Sequence, residues 1–197
     1  DDFLRVARAA PGSKIVATAQ YDAAAALINT RQWERAIQVL EAYRRDYPKG
    51  EYAAEVTRKL AVVYVEAGRS ELAAAEFERI AAVPGEDPAV VREALGKAAE
   101  LYDKAGNAPR TIVLLEQIVQ KYPTPVGEAI ETRQRLADMA AKAGNSERRR
   151  YWQREIVSAD AGAGAQRTDR TRFLAAHAQL ALAEPAREAF RAVRLTA

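Results

Sequence analysis

The chain of 197 residues has no cysteine, one histidine and one methionine. The missing cysteine removes thiol nucleophiles, disulfides and cysteine-based zinc sites together. It leaves the compartment open, because a disulfide-free protein suits both cytosol and periplasm. A single histidine, His177, cannot form a His pair on a metal or a His-His relay, and it reads as a simple helix residue. No glycine-rich phosphate loop is present, so the usual nucleophiles, bases and cradles of enzymes are scarce. Proline and glycine number only 8 and 10, which argues against disorder and against a turn-rich β fold. Long apolar runs are also missing: Ile112 to Leu115 is cut by Glu116, far short of the roughly 20 residues a membrane-spanning helix needs.

What the chain does contain points to helices. Residues of the hydrophobic class make up 49% and charged residues 29%, and alanine, leucine, arginine and glutamate are abundant. The expected fold class is all-α. The formal charge of +3 is unevenly placed, with 10 arginines against 6 acids after Asn145. With neither an initiator methionine nor an apolar signal segment at its start, the sequence is expected to be a mature form or an internal piece of a longer chain.

The segment Tyr43 to Ala73 sets the pattern for the rest. Leu60-Ala61 is followed by Tyr64, then by Gly68, and Ala73 and Phe77 stand four apart before Pro84. This order resembles the tetratricopeptide repeat. The resemblance implies a right-handed superhelical solenoid of antiparallel helix pairs, with the first helix of each pair lining a concave groove. Repeats are expected at 17–50, 54–85 and 92–123, with a divergent repeat at 130–157. A loop is expected at 158–170, containing Ala161-Gly162-Ala163-Gly164-Ala165, and a divergent pair at 171–197, split before Pro185. Residues 1–12, with Phe3 and Pro11 in the spacing of Leu40 and Pro48, read as the end of a preceding repeat. The expectation is therefore a single solenoid, a piece of a longer chain, that could self-associate through uncapped ends.

Local chemistry fits the repeats. Gly68 can take the left-handed conformation that ends a helix, Ser70 can cap the next, and Asp87-Pro88 suits a helix start. In the first repeat Asn29-Thr30-Arg31 stands where glycine is expected. In the third, Thr111 replaces a small alanine. In the fourth, Arg149 and Gln153 replace an alanine and an aromatic, which predicts looser packing.

Carried over position by position, the resemblance places Tyr21, Asp22 and Asn29 on the groove in the first repeat. It adds Arg58, Lys59, Val62 and Glu66 in the second and Lys97, Glu100 and Lys104 in the third. Gln134, Arg135 and Asp138 follow in the fourth. Arg58, Lys97 and Arg135 could form a basic row for the carboxylates of an extended peptide. The competing reading is a set of solvated helix residues, neutralised in pairs such as Lys97 with Glu100 and Arg135 with Asp138. The carboxylate clamp of co-chaperone repeats is disfavoured, since Ala25 and Glu93 occupy two of its positions.

Other clusters invite functional and plain readings side by side. Arg148-Arg149-Arg150-Tyr151-Trp152 interleaves bases with aromatics as nucleic-acid binders do, but Glu147 and Glu155 flank it and a solvated helix face explains it. Trp33 and Trp152 fall where packing is the default, and Ser158-Ala159-Asp160 reads as a turn.

YRRDYPKGEYAAEVTRKLAVVYVEAG, and again Gln120-Lys121-Tyr122-Pro123, resemble the repeat subtype of bacterial cell-envelope proteins, among them the barrel-assembly lipoprotein and the coordinator of the Tol-Pal system. That likeness implies a periplasmic or outer-membrane-associated setting, with a cytoplasmic one as the alternative. The expected function is a non-catalytic scaffold binding a protein or peptide partner, with no cofactor, no metal and no small-molecule substrate. A nucleic-acid-binding or cytoplasmic regulatory scaffold is the alternative. A hydrolase built on paired carboxylates is the remaining enzyme class.

Overall fold

A computed structural model describes residues 14–193, so the helix expected in residues 1–10 lies outside the described residues. Nine α-helices and no strand occur among the described residues. In chain order they are α1 (Lys14–Asn29), α2 (Trp33–Asp46), α3 (Ala53–Glu66), α4 (Ser70–Ala81) and α5 (Pro88–Lys104). They continue as α6 (Ala108–Lys121), α7 (Val126–Lys142), α8 (Ser146–Ala161) and α9 (Asp169–Ala192). Helices α1–α2, α3–α4 and α7–α8 pack as pairs, and a turn after α5 leads into α6, an all-α arrangement of repeated elements.

One backbone device makes the turn within each of these four helix–helix connections. Arg31, Gly68, Gly106 and Gly144 have φ of 55°, 72°, 79° and 69°. The amide after each donates to a carbonyl five residues back: Gln32 to Leu27, Arg69 to Tyr64, Asn107 to Tyr102 and Asn145 to Ala140. This is the Schellman stop, in which a left-handed residue lets the chain satisfy orphan carbonyls and leave the helix. Glycine adopts it without steric cost, whereas Arg31 reaches the same geometry despite its Cβ.

These turn residues stand 37, 38 and 38 apart, so the next would fall at residue 182. Leucine is there, and no turn forms. The helix pair expected at 171–197 is instead one helix, α9, which runs on through Pro185. Pro185 forfeits one amide donor, but nothing nearby supplies a left-handed stop, and the alanine-rich segment continues the helix. The expected loop at 158–170 is also shorter. Helix α8 extends through Ala161, and a 3-10 turn at Gly164–Gln166 leads to a capping box at Thr168 and Thr171.

The chain divides into two compact units, Asp1–Thr111 and Ile112–Ala197, where a single solenoid is expected from sequence. In a repeat array each pair needs only its neighbours, so contacts are local and such a division can fall inside an element, here α6. In the N-terminal unit Ala24, Leu27, Leu40 and Tyr43 pack with Val56, Leu60 and Tyr64, all buried. Ala24, Ala36, Ala61 and Ala73 are almost fully buried, as small residues must be where two helices approach closely. Thr111 is buried as well, and its hydroxyl donates to the Asn107 carbonyl at 3.0 Å, which satisfies the polar atom. In the C-terminal unit Ile130 and Ile156 meet Leu174, Ala175 and Ala178 of α9. Gln153 is buried and Arg149 is exposed, so Trp152 and Ile156 take over the packing on this helix.

The starts of α5, α8 and α9 carry a side-chain cap, whereas α2, α3, α4 and α7 start without one. Asp87 accepts from the Ala89 amide at 2.7 Å with Pro88 in the first turn, and Asn145 accepts from the Arg148 amide at 2.9 Å. Ser70, expected to cap α4, is its first helical residue instead, and Arg69 precedes it without a side-chain cap.

Candidate functional site

Within the N-terminal unit a groove of about 400 Å³ runs between α3 and α5. Val62, Val65, Phe77 and Leu101 make its floor, while Glu66, Lys97, Glu100 and Lys104 make its rim. The floor comes from helix periodicity: Val62 and Val65 are three apart, and Leu101 follows Lys97 by four, so each pair shares a helix face. Val62 and Val65 remain 54% and 40% exposed, which is unusual for β-branched residues on a well-packed helix.

The rim is nearly self-neutralised. Lys97 Nζ lies 3.3 Å from Glu100 Oε2, and Glu66 and Lys104 are exposed charges of opposite sign. Exposed pairs of this kind contribute little to folding and screen one another.

The sequence-predicted residues divide into several sets. Val62, Lys97, Glu100 and Lys104, with Glu66, come together in the groove. Arg58 instead bonds Glu86 at 3.2 Å. Tyr21 is half-buried and stacks on Tyr52 with centroids 4.3 Å apart, and Lys59 lies over the Tyr21 ring at 5.1 Å. Burial, and secondarily a hydrogen bond to Glu55, pushes the Tyr21 phenol up to about 12, so it stays neutral across the physiological range. Tyr21 and Lys59 thus join the first two repeats. Asn29 and Asp22 are exposed on α1. In the C-terminal unit, Asp138 accepts from Gln134 at 2.9 Å, and Arg135 is half-buried on the same helix.

The sequence reading missed Val65, Phe77 and Leu101, because it sought charges along the groove. The signal was available in the apolar residues at groove-facing register.

Two acids buried among the described residues, Glu76 and Asp160, are each engaged by an arginine. Glu76 bonds Arg44 at 2.5 Å. Burial works against the Arg44 cation, and Glu76 more than offsets it. Asp160 accepts from the Thr171 hydroxyl at 2.7 Å and from Arg167 at 2.8 Å. Burial would raise the Asp160 carboxyl, but the bonds from Thr171 and Arg167 outweigh it and hold the group below its usual range. Ser158 to Asp160 therefore lies in helix α8, and its acid anchors α9 where a turn was expected.

The arginine-aromatic cluster of α8 is also partly structural. Arg148 bonds Glu116 and lies over the Tyr151 and Trp152 rings at 6.0 and 5.8 Å. Trp152 is buried and offers no face for a base to stack on. His177 is exposed and stacks on Phe173 with centroids 6.0 Å apart.

A family model of the tetratricopeptide repeat matches residues 18–50 and 93–125. These stretches hold most of helices α1 and α2, and of α5 and α6. The second hairpin, which carries the fullest resemblance in sequence, lies outside both matches. No curated protein matches the chain. Among solved structures the chain is similar to the nearly identical TPR-like repeats assigned to a kinesin light chain of Podosopora anserina, at 21% identity and a TM-score of 0.39, covering 86% of this chain and 96% of that one. A second crystal structure of such repeats gives 20% identity and a TM-score of 0.38, covering 85% and 95%. No helix among the described residues is long and apolar enough to cross a membrane.

Proposed function

We propose that the chain is a non-catalytic scaffold whose α3–α5 groove holds a segment of a partner protein by an apolar side chain. The observation that carries this reading is the floor of Val62, Val65, Phe77 and Leu101 beneath a rim of mixed charge. An apolar floor open to water gains free energy when covered, about 1.5 to 3 kcal/mol for one buried aliphatic side chain. A rim with both signs favours orientation over bulk attraction. The basic row of Arg58, Lys97 and Arg135, expected from sequence to hold carboxylates of a peptide, is less favoured because Glu86 and Glu100 already engage the first two. The envelope-type motif around Tyr47-Pro48 and Tyr122-Pro123 supports a bacterial periplasmic setting, which cell fractionation of the native host tests.

The binding test uses peptides selected from a random display library on the full chain, with affinities measured by calorimetry. Val62→Glu should weaken the selected peptides by about tenfold or more, the loss of one buried apolar contact. Changing Arg58, Lys97 and Arg135 together to glutamate should change affinity far less. Wild-type affinity in Val62→Glu would overturn the groove assignment, and a large loss confined to the triple variant would restore the carboxylate row.

A further inference from the structure

Helix α9 carries apolar residues on two opposite faces. One face, with Leu174, Ala175 and Ala178, is buried. The other repeats every three and four residues: Phe173, Ala176, Leu180, Ala183, Arg187 and Phe190, all exposed. Phe173, Leu180 and Phe190 are 59%, 58% and 80% exposed. A helix apolar on both sides is normally covered on both sides. The exposed spacing is that of a and d positions in a coiled-coil seam, extending about 26 Å from Phe173 to Phe190 at 1.5 Å per residue. Pro185 falls on the side away from the seam, so its ring does not interrupt it.

We propose that this face pairs with α9 of a second copy of the chain, antiparallel. The register decides the orientation. Running antiparallel, Phe173 meets Phe190 of the second copy, Leu180 meets Ala183, and Arg187 meets Ala176, so large residues oppose small ones along the middle of the seam. At the flank His177 comes beside the Glu184–Arg187 ion pair of the second copy. A parallel pair would crowd Arg187, bonded on its own helix to Glu184 at 2.7 Å, against the same bulky side chain of the second copy, and would leave Ala176 and Ala183 each facing only alanine. The seam uses none of the α3–α5 groove, so it stands independently of the peptide-binding reading.

Sedimentation equilibrium on the full chain tests the pairing. Wild type should dimerise, and Leu180→Glu should weaken dimerisation by more than about tenfold without changing helix content by circular dichroism. Because the chain lacks cysteine, orientation can be read directly. Phe173→Cys and Phe190→Cys proteins, mixed and oxidised, should give the mixed disulfide in preference to either homodimer. A wild-type chain monomeric up to about 100 µM overturns the proposal, whether the face binds another protein or nothing. A dimer that survives Leu180→Glu intact, or Phe173→Cys cross-linking mainly to itself, overturns it equally.

Discussion

Residues 144 and 182 stand 38 apart in the repeat register, and the chain turns back at the first and runs straight at the second. At Gly144 a φ of 69° closes α7, and α8 folds back. At Leu182 the equivalent conformation would press a branched side chain against its own carbonyl, so α9 continues to Ala192. The difference teaches that a hairpin in this repeat depends on one left-handed residue. Packing can supply that residue's conformation without glycine, as Arg31 shows with a φ of 55°, but only where helices on both sides reward the turn.

Without a hairpin, α9 is held by other means, and breaking them should have the largest effect. Asp160→Ala removes the acceptor shared by Arg167 and the buried Thr171 hydroxyl, leaving that hydroxyl only the Thr168 carbonyl at 3.1 Å, at a cost of about 1 to 3 kcal/mol, measured as a lowered urea midpoint. The sign of the pH effect follows from the lowered carboxyl. Its contribution is fully present above the unfolded carboxyl value of about 4 and is lost as pH falls toward the folded value. Wild type should therefore lose stability below about pH 4 more steeply than Asp160→Ala, and parallel acid curves would count against the anchor.

A smaller effect is expected at the missing turn itself. Leu182→Gly should cost about 1 kcal/mol of helix propensity and speed amide exchange in residues 183–192. Slow exchange there in the variant, measured at concentrations where the chain is monomeric, would mean that α9 is held beyond Ala178 by contacts within its own chain.

The smallest effects compare two residues in the same conformation. Gly106→Ala should destabilise by roughly 1 kcal/mol, since no heavy atom lies within 4 Å of the added Cβ and only the backbone strain remains. Arg31→Gly should be neutral or stabilising by up to about 1 kcal/mol, because relief of strain is partly offset by unfolded-state entropy. Equal destabilisation by both changes would show that the Arg31 side chain, not its backbone, fixes the first turn.

Much of the fold was legible in residues that have only one physical option. Gly68, Gly106 and Gly144 mark stops, Asp87-Pro88 marks a start, and Ala24, Ala61 and Ala73 mark close helix contacts. Arg31 was harder to read, because an arginine in the left-handed region is paid for by packing that sequence does not display. Leu182 was legible and overlooked: counting 38 residues from Gly144 finds no stop there, whereas Pro185 suggested a boundary that helices tolerate. The candidate groove was half legible. Repeat register placed Val62, Lys97, Glu100 and Lys104 together, but the apolar character of the floor depended on which side chains stayed uncovered.

The sequence by itself determined the helix class, the repeat period, the small-residue contacts and the three glycine turns, because backbone sterics and side-chain volume act over a few residues. Tertiary structure alone decided that Tyr21 stacks on Tyr52, that Asp160 becomes a buried anchor and that Arg58 bonds Glu86. Those outcomes depend on distances between segments far apart in the chain, where hydrogen bonding and desolvation are settled by packing rather than by local pattern.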